Sequence, residues 1–157
     1  MRWRSLVGGL LVSALGNGCD SGPDCSFEHV VEEEISGHAL RDCGSPAGSP
    51  FGQPSDLAPW HDAHDCAVTS SSSHQPFVVR WLVPGVEGAT KYAVVGRLSG
   101  GVWSLAQFIE NFNPDGTTRP TIEFRCAALG DQGDCADLTR TLCLTCGQGT
   151  LVGSCGE

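Results

Sequence analysis

Lysine is nearly absent from this chain. Lys91 is the only one, and lysine and arginine together number 9 against 18 aspartates and glutamates. A body so short of cations cannot neutralise a phosphate backbone and is repelled by anionic headgroups, which excludes nucleic-acid binding and electrostatic attachment to a membrane surface. Long apolar runs are missing too. The longest, Leu6–Leu15, falls short of the roughly 20 residues a bilayer-spanning helix needs. Catalytic signatures are equally scarce: there is no Gly-x-Ser-x-Gly elbow and no HExxH pair. Gly96-Arg-Leu-Ser-Gly-Gly101 lacks a phosphate-loop lysine and reads as a hairpin turn. Paired carboxylates cannot be singled out by spacing. No catalytic residue and no cofactor is therefore assigned, and the chain reads as a non-enzyme.

Hydrophobic residues at 40% with 17% charged describe a folded globule of one domain, not a disordered chain. Nine cysteines and 21 glycines add a loop-rich fold held partly by covalent staples.

The start of the chain carries an address. Met1-Arg-Trp-Arg4 followed by Leu6–Leu15 has the charge and length of a secretory signal, and export is expected. Two processing routes are open. Ala14-Leu15-Gly16 is a small-x-small site that would release a soluble chain at Asn17. Gly18-Cys19-Asp20 resembles the site of bacterial lipoproteins, where the cysteine is acylated and becomes the mature N-terminus. On that route residues 1–18 are a signal peptide and 19–24 a short tether; removing Arg2 and Arg4 with the signal shifts the net charge from −9 to −11. Parity favours lipidation. Nine cysteines is an odd number, and acylating Cys19 leaves an even set for disulfides. Pairing Cys19 with Cys25 would instead leave another thiol unpaired.

The body, 25–126, reads as a small α+β domain, with one helix packed on a four-stranded antiparallel sheet. Phe27, His29, Val31, Glu33 and Ile35 alternate as in a strand, and Glu32-Glu33-Glu34 reads as its solvated edge. Gly44–Ser55 is a turn-rich loop. A helix follows, capped by Ser55 or Asp56, with Pro59 in its first turn and Leu57, Trp60, His64, Ala67 and Val68 on one face. The serine run 70–73 reads as its exit loop. Strands are expected over 77–83, 89–98, 102–110 and 118–126, the last with Ile122, Phe124 and Cys126 on one face. One sheet face is expected to be wet. Trp60, Trp81 and Trp103 read as core anchors, with a ligand groove the alternative. Residues 127–157 form a Gly- and Cys-rich tail that only disulfides can order.

Disulfide candidates are Cys25, Cys43, Cys66, Cys126, Cys135, Cys143, Cys146 and Cys155. Cys43 with Cys66 would pin the long loop, and Cys126 would tie the last strand to the tail. Cys143-Leu-Thr-Cys146 has the spacing of a redox dithiol or half a zinc site. It sits in a Gly-rich tail of an exported chain, which favours structural bridges reaching outward from each cysteine. His61 and His64 lie i, i+3 on the expected helix and are the one weak metal-ligand pair; packing of His64 against the sheet is the simpler reading.

Asp42-Cys43-Gly44, Asp65-Cys66 and Pro76-Phe-Val-Val-Arg-Trp-Leu-Val-Pro-Gly85 together resemble predicted bacterial lipoproteins of the myxobacterial type over residues 40 to 126. The resemblance implies a cell-envelope location and carries no known activity. The expected function is that of a non-enzymatic envelope lipoprotein, a binding or structural module for a protein or small ligand, touching the membrane through its lipid alone. A secreted disulfide-rich inhibitor or effector, and a metal-binding or thiol-exchange protein, are the alternatives.

Overall fold

The computed structural model describes residues 24–48, 56–85, 88–112, 115, 117, 119–131 and 142–155. Within them lie helices α1 (Phe27–Ile35) and α2 (Ala58–Ser72). The strands are β1 (Arg41–Asp42), β2 (Phe77–Gly85), β3 (Gly88–Ser99), β4 (Val102–Phe112), β5 (Ile122–Cys126), β6 (Ala128–Asp131), β7 (Leu144–Gly147) and β8 (Thr150–Ser154). The architecture is α+β, built on a six-stranded mixed sheet ordered β1-β2-β3-β4-β5-β8, with β6-β7 as a separate hairpin.

The centre follows from local chemistry. β2 is a β-branched and aromatic run, and β3 and β4 join through Gly100 and Gly101, whose φ values of 57° and 82° suit a two-residue hairpin turn. β2 to β5 pair antiparallel in sequence order. At Gly96 a Cβ would come within 2.5 Å of Phe77 and 2.7 Å of Trp103, so glycine alone lets both rings lie across β3.

Four expectations are corrected. The segment 25–35 is a helix: Phe27 and Val31 are buried one turn apart, and the Ser26 side chain caps the start by accepting the His29 N–H. There are thus two described helices, not one. The sheet has six strands and is mixed rather than four-stranded and antiparallel, because β1 adds parallel to β2 and β8 adds antiparallel to β5. The serine run completes α2, where the Ser72 and Ser73 hydroxyls donate back to the Thr69 carbonyl. Asp56 accepts the Ala58 N–H ahead of that helix, whose N-cap position is Leu57.

The fourth correction concerns the wet face: both faces of the sheet are covered. Phe77, Val79, Trp81, Val94 and Leu105 meet Trp60, Ala63 and Ala67 of α2 and Leu144 of the hairpin. The alternate residues Val78, Ala93, Val95, Ala106 and Phe108 meet Phe27 and Val31 of α1. Trp60 and Trp81 are core residues, and Trp103 packs on that core while stacking with His74.

Around the apolar seat of α1 the sheet presents cations, and α1 answers with glutamates. Arg80 pairs with Glu32 at 2.9 Å, Arg97 with Glu34 at 3.0 Å and Arg125 with Glu34 at 3.1 Å. Lys91 bonds Glu28 and lies 3.2 Å from the buried Glu110, with its ammonium 4.5 Å from the Phe112 ring centre. Burial pulls the Lys91 pKa down, but the hydrogen bonds and charges of Glu28 and Glu110 outweigh it and leave it above the ordinary lysine value. The acidic run is therefore half of an ion-pair cradle, with only Glu33 among its members left unpaired by any of these sheet cations.

Candidate functional site: a neutral cleft beneath the stapled hairpin

The β6-β7 hairpin folds back over one face of the sheet. Three things hold it: the Cys126–Cys146 disulfide, the Ala127 N–H donating to the Gly147 carbonyl, and Thr145 Oγ1 donating to the Gly130 carbonyl at 3.3 Å. The hairpin does not lie flush on the strands below it. A cleft of 330 Å³ remains, with Gln107 and Ile109 of β4 and Phe124 of β5 as floor and Leu144, Thr145 and Cys146 of β7 as roof. In register, Gln107 pairs with Phe124 and Phe124 with Leu151 of β8, so the floor continues as one cross-strand row to the edge of the sheet.

Among the described residues, none that lines it is an acid, a base or a histidine. The Thr145 hydroxyl in this lining donates to the Gly130 carbonyl. What it offers is apolar surface from Ile109, Phe124 and Leu144, plus the side-chain amide of Gln107. Its volume lies at the small end of ligand pockets, roughly 300–1,000 Å³. Such a lining suits an uncharged apolar group bearing one carbonyl or amide, since among the described residues it offers apolar surface and one side-chain amide but no counter-charge.

Two other hollows are described. One of 330 Å³ is lined by Arg41, Asp62, Asp65, Cys66 and Thr69 beside the first turns of α2, and one of 250 Å³ lies between the ends of β2, β3 and β4. The first is lined mostly by polar and charged side chains; the second has glycines and Ala89 beside Val83, Thr90, Asn111 and Phe112.

The residues singled out by sequence fall as follows. Cys43 bonds Cys66, Cys126 bonds Cys146, and Cys25 bonds Cys155 across a sequence separation of 130. Cys143 is also disulfide-bonded. The Cys143-x-x-Cys146 pair thus does not close on itself. Cys19 and Cys135 lie outside the described residues. His61 is exposed on α2, while the half-buried His64 engages Asp65 through Nδ1 at 3.0 Å. Among the described residues no group of three or more His, Cys, Asp or Glu could hold a metal.

The cleft has no signature in the sequence: the alternation of β5 predicts Ile122 and Phe124 on one strand face, but nothing in the Gly- and Cys-rich tail announces the roof. Among the described residues no helix is long and apolar enough to cross a membrane. No family model, curated protein or solved structure matches the chain. The disulfides are compatible with an exported protein.

Proposed function

We propose that the chain is a non-enzymatic lipoprotein of the cell envelope, anchored through an acylated Cys19, whose domain is a binding module. The ligand surface is the cleft beneath the hairpin, and the ligand is a small neutral group or an apolar side chain of a protein partner. The observation that carries this reading is the chemistry of that cleft: among the described residues its lining is largely apolar and carries no ionisable side chain, and its roof is tied to the sheet by a disulfide. A hollow with such a lining favours recognition over proton transfer, which needs a positioned acid or base. Disulfide bonding of every described cysteine supports the oxidising compartment that the signal sequence implies. It also weighs against thiol exchange as the working chemistry.

Intact mass of the protein purified from its own membranes, before and after alkylation, tests the anchor. A chain beginning at Cys19 with acyl groups and no alkylated thiol supports it. A lipid-free chain beginning near Asn17 overturns it and moves the reading to a secreted binding protein. The cleft is tested separately by Gln107→Glu, which introduces a charge at the half-buried floor and should abolish binding of a ligand captured by the parent.

A further inference from the structure

The Cys25–Cys155 disulfide fixes where the domain meets its tether. Cys25 lies one residue ahead of the Ser26 cap of α1, and its bonded partner directly follows β8. Thr121 reinforces that junction. Its hydroxyl donates to the Cys25 carbonyl at 3.2 Å, and its carbonyl accepts the Cys155 N–H at 3.1 Å. The six residue steps from Cys19 to Cys25 span at most about 20 Å when fully extended. An acyl group on Cys19 therefore holds the β8 end of the sheet close to the bilayer.

β8 is suited to that place. Leu151 is 59% exposed and Val152 56% exposed, both within about 13 Å of Cys155 along the chain. The ladder to β5 steps from Glu123–Gly153 to Phe124–Leu151, which leaves Val152 as an extra residue without a β5 partner. A bulge discourages the addition of a further strand, so the edge offers side chains more than a backbone template. Among the described residues the other exposed large apolar side chains are Leu98 and Val102, beside the β3–β4 turn. That turn is at the far end of the sheet. Val102 lies about 23 Å along β4 from Ile109, which shares a cross-strand row with Ile122 and Ser154.

We propose that Leu151 and Val152 rest in the interfacial layer of the bilayer that holds the acyl group, so that the domain stands on its β8 edge. This orientation rests on the lipoprotein reading. Charge selects the edge. Without its signal the chain carries −11 and is repelled by anionic headgroups, whereas residues 141–156 contain no Asp, Glu, Lys or Arg. This edge therefore approaches the surface with the least repulsion. The two apolar side chains leave water there, while the outward N–H and C=O groups of β8 stay among hydrated headgroups. Two side chains are too little to hold the domain alone. The anchor supplies attachment and the edge supplies orientation.

The test uses the protein purified from its own membranes, with intact mass reporting acylation, reconstituted into phosphatidylcholine vesicles with brominated or unbrominated acyl chains. Leu151→Trp and Val152→Trp, both at exposed positions, each place an indole at the edge. Val102→Trp places one at the far turn and controls for the affinity of indole itself for the interface. All three should keep the parent's circular dichroism. On brominated vesicles each edge variant should lose at least about half of the emission its new indole adds. Val102→Trp should be quenched no more than the parent. Acylated protein whose edge indoles are unquenched, or quenched no more than Val102→Trp, overturns the orientation and leaves the anchor standing. A chain without acyl groups overturns the lipoprotein reading and the orientation with it.

Discussion

Glu110 of β4 accepts the N–H of Phe27, the first residue of α1, at 3.0 Å. Its other carboxylate oxygen lies 3.2 Å from the ammonium of Lys91. One buried side chain, 2% exposed, thus satisfies an orphan donor at the helix start and a cation beneath it. The helix is located by a residue 83 positions away in sequence, which is why the seat of α1 is specified by the sheet.

Removing that carboxylate should loosen the helix. Glu110→Ala leaves the Phe27 N–H unpaired and Lys91 with Glu28 alone, at a cost of about 2–3 kcal/mol. Glu110→Gln keeps an acceptor for the N–H and should lose clearly less. Urea unfolding of both variants, read by tryptophan fluorescence, gives the comparison; equal losses would show that the helix-start hydrogen bond contributes nothing.

Acid should weaken the same contact. The Lys91 hydrogen bond holds the Glu28 pKa below the ordinary 4.5, against a smaller opposing effect of burial. The unfolded chain then takes up that proton at higher pH than the fold does, so the stabilisation is present above pH 4.5 and is lost as pH falls through the folded value. Glu123 has the opposite sign. Burial foremost, with Glu34 nearby, raises its pKa above 4.5, against the pull of Arg125 and Arg97. Its contribution is full below pH 4.5 and is lost as pH rises through the raised value. Melting temperatures from acid to neutral pH should therefore show a shallower acid loss in Glu28→Gln. Glu123→Gln should melt no lower than the parent at neutral pH, and a clear loss there would reverse the sign given to Glu123.

Gly96→Ala should destabilise by about 1–3 kcal/mol through overpacking. The added methyl meets ring atoms of Phe77 at 2.5 Å and Trp103 at 2.7 Å, and Phe77 is fully buried. Adding Trp103→Leu should recover part of the loss, since it removes one of the two rings. Additive losses would mean that the clash is absorbed elsewhere.

The disulfides should rank by loop length. On the chain-entropy model, a bridge spanning 130 residues contributes about 5 kcal/mol and one spanning 23 about 3 kcal/mol. Cys25→Ser with Cys155→Ser is expected to unfold at lower denaturant than Cys43→Ser with Cys66→Ser. The reverse order would indicate that native packing around Cys43, not loop closure, dominates.

The strands β2, β3 and β4 were legible because their apolar runs end at Pro-Gly and Gly-Gly turns that permit few alternatives. α1 was not, for a geometrical reason. Phe27, Val31 and Ile35 are four residues apart, a spacing that satisfies both a two-residue strand repeat and a helical turn. The acidic residues between them decide the matter only once their cationic partners on β2, β3 and β5 are known. The covered second face was written in Phe77-Val-Val, an unbroken apolar run that a half-wet strand does not need. The hairpin and β8 left no periodic trace, since four- and five-residue strands rich in Gly and Cys are ordered by bridges and long-range pairing. With the hairpin unseen, the cleft had a floor and no roof.

The Cys25–Cys155 bridge joins the two extremities of the described chain. Mechanically it turns the domain into a closed loop. A tug arriving from the residues ahead of Cys25 cannot unzip α1 turn by turn, because the load divides at the sulfur atoms and enters the last strand at the same moment. Helix and strand must then yield together, the strand against its neighbour and the helix against its ion-paired seat. Such a pull must therefore overcome both elements at once, a resistance to being drawn out that the modest length of the chain alone would not provide.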